Sequence, residues 1–284
     1  MMSPLISAPE LLARLGEANL RIVDCRHDLL DLEAGRRAYQ STHIPGALFL
    51  HLDEDLSAAK TGKNGRHPLP TPKLLAQRLG AAGIGDGHHV VAYDASGGAY
   101  AARLWWSLRW LGHRNVQVLD GGLPAWIAAG GAQDALLPRQ APATLSVRAQ
   151  DGWLVDAGAV QANLDQQAFV LIDARAPGRY AGEGEVIDPV AGHIPGALNR
   201  FFQLNLQADG RFKSPEVLRS EWLALLDGSD ARDSVAQCGS GVTACHNLLA
   251  MELAGLPGAR LYAGSWSEWC SDPARPVATG AAAG

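Results

Sequence analysis

The sequence contains few cysteines and no long apolar run, and each shortage excludes a class of protein. Its four cysteines, at positions 25, 238, 245 and 270, have neither the paired spacing of zinc ligands nor the density of a disulfide-stabilised secreted domain. No segment approaches the ~18 apolar residues of a transmembrane helix. The first residues lack the basic and apolar regions of a signal peptide. We therefore expect a chain of the reducing cytoplasm, without membrane spans, whose cysteines stay as thiols.

An excess of basic residues is absent as well. The formal net charge is −5, which argues against nucleic acid or an anionic membrane as the main partner. An anionic substrate would therefore have to be attracted by local positive groups. Apolar residues make up 47% of the chain and charged residues 19%, a balance typical of globular proteins. A length of 284 residues suits two domains of about 140 residues each.

The chain contains an internal repeat. The segment His43-Ile-Pro-Gly-Ala-Leu48 recurs as His193-Ile-Pro-Gly-Ala-Leu198, 150 residues later. Three further pairs keep the same order: residues 22–26 with 171–175, residues 90–97 with 234–241, and residues 119–126 with 262–269. Such an ordered series indicates duplication of one unit. We expect an N-terminal domain over residues 1–132, a linker over residues 133–149, and a C-terminal domain over residues 150–284.

Each copy alternates short β-branched segments with helical patterns. In the second copy, the segments 169–172, 234–237 and 260–262 have the composition of buried strands, and the segments 218–226 and 243–254 are helix-like. This alternation predicts an α/β fold in which each domain is a parallel sheet covered by helices on both faces. Sites in such sheets form beyond the carboxyl ends of strands, and Cys238 follows such a strand.

Cys238 opens a glycine-bearing loop, Cys238-Gly-Ser-Gly-Val-Thr-Ala244, that leads into a predicted helix. In this arrangement backbone N–H groups and the positive end of the helix dipole can surround the Cys238 sulfur. Gly239 and Gly241 permit backbone angles that other residues resist, and Ser240 and Thr243 add hydroxyl donors. The loop therefore predicts a stabilised thiolate, or a persulfide anion formed from it.

The first copy carries Asp94 where the second carries Cys238. A carboxylate cannot act as a sulfur nucleophile, so we predict that only the C-terminal copy is catalytic and that the N-terminal copy is its structural partner. The other thiols have different expected roles. Cys245 lies on an apolar helix face and is expected to pack, Cys25 lies in a predicted buried strand, and Cys270 is a candidate second thiol.

Two other thiolate chemistries fit the residues poorly. A cysteine phosphatase needs an arginine six positions after its cysteine, where this chain has Ala244. A cysteine protease or amidase needs a partner histidine and an oxyanion site. The His-Ile-Pro-Gly histidines, however, occur in both copies, including the copy without a cysteine. That pattern favours a shared turn or hydrogen-bonding role for His193.

The duplicated His-Ile-Pro-Gly segment, the Asp-x-Arg segment and the Cys238 loop resemble the two-domain rhodanese-like sulfurtransferases over residues 5–278. The loop is similar to that of the 3-mercaptopyruvate sulfurtransferases. Thiosulfate-preferring relatives more typically have basic residues after the cysteine, where this chain has Gly239 and Ser240. The resemblance implies that Cys238 takes sulfur from 3-mercaptopyruvate, releases pyruvate, and passes the sulfur from a persulfide to cyanide, a small thiol or thioredoxin. It implies no metal or organic cofactor.

The resemblance also implies which residues bind the donor. They are Arg179, whose guanidinium would hold the anionic group, and the loop residues Gly239, Ser240, Gly241, Val242 and Thr243. Arg175 has a twin in Arg26, so we expect it to form an ion pair within its own turn.

Two functional positions of the family have alternative candidates in this chain. A second arginine, common in mercaptopyruvate enzymes seven residues before His193, is replaced by Val186 within an acidic stretch, and Arg200 is a candidate substitute. A proton relay at a first-copy histidine points to His43, whose acidic partner stays open between Asp31 and Glu33.

The leading hypothesis at this point is an enzyme, a 3-mercaptopyruvate sulfurtransferase. The alternatives are a thiosulfate:cyanide sulfurtransferase (rhodanese) and, in a different class, a persulfide carrier or redox-signalling module that delivers sulfur to a protein. Because the duplication already offers one domain as a partner for the other, we expect a monomer.

Overall fold

The computed structural model describes residues 2–283, which divide into two compact units. Unit 1 consists of the residues up to Ala58, Pro70–Gln150 and Leu206–Phe212. Unit 2 consists of Ala59–Leu69, Asp151–Asn205 and the residues from Lys213 onward. Each unit therefore includes a short segment whose position in the sequence lies within the other half of the chain.

Unit 1 is a five-stranded parallel sheet with helices between the strands. Its strands are β1 (Leu5–Ile6), β2 (Leu20–Asp24), β3 (Leu48–Phe49), β4 (His89–Tyr93) and β5 (Val116–Leu119). Its helices are α1 (Ala8–Ala13), α2 (Ala34–Ser41), α3 (Pro72–Ala81), α4 (Ala101–Trp110) and α5 (Gly122–Ala128). The strand order is β1-β5-β4-β2-β3, and every pair is parallel.

Unit 2 repeats this arrangement with four strands. They are β6 (Val170–Asp173), β7 (Leu198–Asn199), β8 (Ser234–Gln237) and β9 (Arg260–Leu261), in the order β7-β6-β8-β9. Its helices are α6 (Ala157–Gln166), α7 (Pro177–Ala181), α8 (Pro215–Leu226), α9 (Thr243–Leu253) and α10 (Ser265–Trp269). A single parallel bridge from Leu154 to Leu261 stands where unit 1 has β1. The two sheets thus have the same topology, as the duplication predicts.

The central strands β4 and β8 are buried on both faces, as expected for parallel strands covered by helices. All five residues of β4 and all four of β8 are buried. In unit 2, one hydrophobic cluster joins the β-sheet residues Leu171 and Val235 to Trp266 and Trp269 of α10. Burying side chains of this size stabilises a domain by roughly 2–3 kcal/mol each. The predicted α/β class, with parallel sheets flanked by helices, is confirmed.

Helix starts follow the capping residues of the sequence. The Ser214 hydroxyl accepts the backbone N–H of Val217 and is followed by Pro215 at the first helical position, the preferred chemistry for a helix start. Helix α8 therefore begins three residues before the predicted position 218. Helix α9 begins at Thr243, as predicted, and ends at Leu253, one residue early.

The segment expected to be the linker runs alongside unit 1. The backbone of Asp134 pairs with that of His43, the N–H of Ala143 donates to the carbonyl of Gly80, and the N–H of Arg148 donates to that of Leu111. None of the helices in residues 2–283 combines the length and the apolar composition that a membrane span requires.

Candidate functional site

Cys238 lies at the carboxyl end of β8, one residue beyond the strand. It is 2% exposed. Its backbone N–H donates to the Ser265 hydroxyl at 3.1 Å, and its carbonyl accepts the N–H of Trp266 at 3.0 Å. Because both partners lie at the start of α10, next to β9, the Cys238 backbone is fixed on two sides. The predicted position beyond a central strand is the observed one.

The loop after Cys238 needs glycine at position 241. Gly241 has φ +74°, and a Cβ placed there would lie 2.3 Å from the Ala263 carbonyl oxygen. No residue with a side chain fits without moving one of the two backbones. The loop then passes through Val242 directly into α9 at Thr243. The helix N-terminus is thereby brought back toward the residue that opens the loop.

The equivalent loop of unit 1 shows how such a loop holds an anion. Asp94 follows β4 as Cys238 follows β8, and its side chain is fully buried. Its carboxylate accepts four backbone N–H groups of the loop and of the start of α4, at 2.7–2.9 Å: those of Ser96, Gly98, Tyr100 and Ala101. The Asp94 loop is therefore a ring of amide donors around a negative charge.

In unit 2 the corresponding amides belong to Ser240, Val242, Ala244 and Cys245, by the same spacing of 144 residues. The Cys245 N–H donates to the Val242 carbonyl. Among the described backbone–backbone hydrogen bonds outside the helices and strands, none is donated by Ser240, Val242 or Ala244. By analogy with the Asp94 loop, we expect these donors to face an anion at the Cys238 side chain, at the positive end of α9.

Arg179, predicted to bind the donor, lies on α7 near the loop. Its guanidinium nitrogens Nη1 and Nη2 are 3.6 Å from the position of a Cβ on Gly239. Arg179 does not stand alone, however. Its Nε and Nη2 donate to Glu185 at 2.9 and 3.1 Å, and Nη2 donates to Asp188 at 3.0 Å. The family's second arginine is replaced here by an acidic stretch. That stretch supplies two carboxylates, which both pair with Arg179.

Sequence reasoning missed two residues that the fold brings to this loop, Arg66 and His67. Both lie in the short segment Ala59–Leu69, which belongs to unit 2. Arg66 forms an ion pair with Asp188, and its Nη2 lies 2.7 Å from the Cβ position of Gly239. His67 is buried, and its Nδ1 is 2.7 Å from the Ser240 hydroxyl oxygen.

A sequence signal for these residues did exist. Gly65-Arg66-His67 stands just before the capped proline start of α3, as Gly210-Arg211-Phe212 stands before the start of α8. The pair is therefore a further element of the repeat. The short segment Leu206–Phe212 belongs to unit 1 in the same way that Ala59–Leu69 belongs to unit 2.

Other residues singled out in the sequence lie elsewhere or act structurally. The Arg200 guanidinium donates to Glu221 at 2.6 Å and stacks over Trp222, and Val186 is 81% exposed. Within residues 2–283, the described side-chain contacts of Arg200 include none to the Cys238 loop. The His43 and His193 rings stack on Tyr39 and Tyr180, respectively, and each approaches a backbone carbonyl of the same tyrosine.

These contacts confirm the hydrogen-bonding role expected of His193 and give His43 the same one. The expected ion pair of Arg175 is also confirmed, since it contacts Asp173 at 2.7 Å, as Arg26 contacts Asp24 at 2.6 Å.

The remaining cysteines have buried or half-buried environments. Cys25 lies just after β2, not within a strand as predicted, and burial raises its pKa well above the ordinary value. Cys245 is fully buried in α9, as the packing prediction requires, and its thiol donates to the Gly241 carbonyl. Burial, followed by the charge of Asp188, raises the pKa of half-buried Cys270 to about 11.

One group of metal-ligating side chains lies within unit 1: His51, Glu33 and Glu54. The His51 Nε2 bonds the Leu32 carbonyl, and its Nδ1 accepts a backbone N–H. Both glutamates form ion pairs with Arg36. Since the ligand atoms are already used, the group has the contacts of a surface ion-pair network.

Comparison with known proteins gives a consistent result. Residues 7–129 and 156–272 each match the family model described as a rhodanese-like domain. A probable 3-mercaptopyruvate sulfurtransferase of Pseudomonas aeruginosa is 53% identical over 278 residues, 97% of this chain and 98% of that protein. The thiosulfate sulfurtransferase of Cricetulus griseus is 37% identical over 88% of this chain and 84% of its own.

A solved structure agrees with these relatives. The 3-mercaptopyruvate sulfurtransferase from Leishmania major aligns with a TM-score of 0.83 and 31% identity, over 93% of this chain and 73% of that one. The two matched segments cover both units of the duplicated chain. The chain belongs to the rhodanese-like domain family.

Proposed function

We propose that this protein is a 3-mercaptopyruvate sulfurtransferase that carries sulfur as a persulfide on Cys238. The observation that carries the proposal is the loop itself: a cysteine stands where the duplicate holds a fully buried carboxylate on four backbone amides. The high identity to a relative named for this activity supports the choice of donor. Unit 1 then has no catalytic cysteine and serves a structural role.

The first step forms a sulfur–sulfur bond. The Cys238 thiolate attacks the donor's thiol sulfur, and the bond between that sulfur and carbon 3 breaks with its electron pair moving onto the pyruvate enolate. The proton of the donor's thiol ends on carbon 3, so pyruvate leaves and a persulfide anion remains on Cys238. The negative charge moves outward by one sulfur and stays among the loop amides, which stabilise both states.

Ser240 and His67 supply a polar pair beside the reacting sulfur. The Ser240 hydroxyl, two residues after Cys238, lies 2.7 Å from the His67 ring nitrogen. A hydroxyl held by an imidazole can donate to an oxygen that gains negative charge, as the carbonyl oxygen of the donor does when the enolate forms. Arg179 and Arg66, next to Gly239, bind the donor's carboxylate.

The second step returns Cys238 to its thiolate. A nucleophilic acceptor, such as cyanide or a small thiol, attacks the outer sulfur of the persulfide and leaves with it. Thioredoxin is a protein acceptor of the same chemistry. This cycle needs a reducing compartment, for which the cytoplasm is the simplest choice, and it needs a single chain, because all the named groups lie in unit 2.

A mass spectrum of the intact protein after exposure to 3-mercaptopyruvate tests the proposal. We expect a gain of ~32 Da, its removal by cyanide, and its absence in Cys238→Ser. Cys245→Ser is the matched control, because Cys245 is buried in the next helix and should not prevent the gain. Steady-state assays with mercaptopyruvate and thiosulfate then compare the two donors.

Two outcomes would replace the proposal. A value of kcat/KM for thiosulfate more than tenfold above that for mercaptopyruvate would make the protein a thiosulfate sulfurtransferase, like the Cricetulus griseus relative. Slow turnover with every small acceptor, but rapid discharge to one protein, would make it a persulfide carrier.

A further inference from the structure

The proposed donor site contains its own buried carboxylates. The side chains of Glu185 and Asp188 are each only 2% exposed, while those of Arg66 and Arg179, with which they pair, are 23% and 22% exposed. Asp188 contacts both arginines, because one carboxylate oxygen meets Arg66 and the other meets Arg179. The guanidinium groups beside Gly239 are thus partly neutralised before any donor arrives.

The two carboxylates have different surroundings. Burial acts to raise the pKa of Glu185, but hydrogen bonds from Arg179 and from the backbone N–H groups of Ile187 and Asp188 lower it overall. Glu185 is therefore a structural anion of its own turn. For Asp188, burial outweighs the attraction of Arg66 and the pKa is raised. Asp188 is the carboxylate whose charge is held mainly by the two arginines.

The arginines also retain donor capacity. The Nε–H of Arg66 is buried and, within the described residues, has no hydrogen-bond partner. Around it, three guanidinium groups balance three carboxylates: Arg66, Arg175 and Arg179 against Asp173, Glu185 and Asp188. The region therefore has a hydrogen-bond donor for one more acceptor. It has no net positive charge to balance the negative charge of an anionic donor.

We propose that Asp188 determines donor preference by placing a fixed negative charge on the two arginines of the donor site. This inference rests on the proposed function, since it concerns the donor of the same transfer. Mercaptopyruvate presents one carboxylate charge, and thiosulfate carries two. Asp188 repels both donors, but it repels the dianion about twice as strongly, because Coulomb energy is proportional to charge.

This proportionality gives a quantitative expectation. If removing the Asp188 charge raises kcat/KM for mercaptopyruvate by a factor f, it raises kcat/KM for thiosulfate by about f squared. Any loss of arginine alignment lowers both values, and by the same proportionality it lowers the thiosulfate value more, so it opposes the expected rise in their ratio. For one charge acting over several ångströms in a half-buried site, f is on the order of tenfold.

The test compares Asp188→Asn with Glu183→Gln. Asparagine keeps the shape of Asp188 and its backbone contacts. Glu183, five residues earlier in the same acidic stretch, is exposed and forms no ion pair within the described part of the chain. Removing either side-chain charge changes the net charge equally. We expect the thiosulfate-to-mercaptopyruvate ratio of kcat/KM to rise about tenfold in Asp188→Asn and less than twofold in Glu183→Gln.

An unchanged donor ratio in a folded Asp188→Asn protein would overturn the inference, as would an equal shift in both variants. If Asp188→Asn does not fold, as judged by its thermal transition, Asp188→Ser is measured instead and must shift the ratio in the same direction. Failure of the proposed function has a separate signature: wild-type protein would then gain no ~32 Da on Cys238 from mercaptopyruvate at all.

Discussion

The stability of a Cys238→Asp variant measures how strongly the Cys238 loop binds an anion. Asp94 and Cys238 occupy equivalent positions after β4 and β8. The Asp94 carboxylate accepts four backbone N–H groups at 2.7–2.9 Å. If the Cys238 loop is an equivalent ring of donors, an aspartate placed there should be held in the same way. The variant would lose sulfur transfer and would be more stable than its uncharged counterpart, Cys238→Asn.

The magnitude follows from the competing terms. A hydrogen bond to a charged group contributes roughly 1.5–3 kcal/mol. Burying a carboxylate costs several kcal/mol after relaxation. Relative to Cys238→Asn, which has the same shape and no charge, the net advantage of Cys238→Asp is about 2 kcal/mol.

Urea denaturation of the two variants at pH 7 makes the comparison. Cys238→Ser serves as the reference for simple loss of the thiol. The reasoning would be refuted by a Cys238→Asp protein that is less stable than, or equal to, Cys238→Asn at pH 7. In that case the loop amides do not converge on the side chain at position 238, and the stabilised thiolate has no structural basis.

Three further predictions concern neighbouring residues. Gly241→Ala should destabilise the protein by at least about 3 kcal/mol in urea denaturation, because the backbone there is left-handed and the added Cβ would lie 2.3 Å from the Ala263 carbonyl oxygen. As the control, Gly196→Ala has a similar backbone, with φ +79°, but open space around the added Cβ, and it should cost only about 1–2 kcal/mol. His67→Asn should lower kcat for mercaptopyruvate at least tenfold with little change in the thermal transition, because it removes the partner of the Ser240 hydroxyl. In Cys238→Ser, alkylation of Cys270 should accelerate about tenfold for each pH unit between 8 and 10, since its pKa is raised to about 11; a rate that is flat across this range would contradict that environment.

The sequence predicted the fold well because the decisive signals are local. Alternating buried strands and helices, repeated in the same order, determine a parallel sheet in each copy, and the strand at 234–237 was placed with its observed bounds. Errors lie at element ends. Helix α8 begins at Pro215, because a serine cap followed by proline overrides apolar periodicity as the marker of a helix start.

The candidate donor site could be predicted only in part, for a physical reason. Arg179 was identified by the family resemblance, because it follows the Asp173-x-Arg175 segment, and the structure places it on α7 next to Gly239. Arg66 and His67 come from a segment more than a hundred residues earlier, and periodicity carries no information about such long-range contacts. Similarly, Val186 marked the loss of one arginine, but no local pattern indicated that Asp188 would join the remaining one to Arg66.

The Asp94 loop of unit 1 and the Cys238 loop of unit 2 use equivalent amide donors in different ways. In unit 1 the loop is filled by a side chain of its own, because the Asp94 carboxylate accepts four of the loop's amide N–H groups. In unit 2 the proposed function assigns the equivalent donors to a thiolate or persulfide at Cys238. Under that function the two loops divide the roles: a charge that is permanent in the Asp94 loop is created and removed during turnover in the Cys238 loop. The interactions that stabilise the carboxylate in unit 1 then stabilise the persulfide in unit 2.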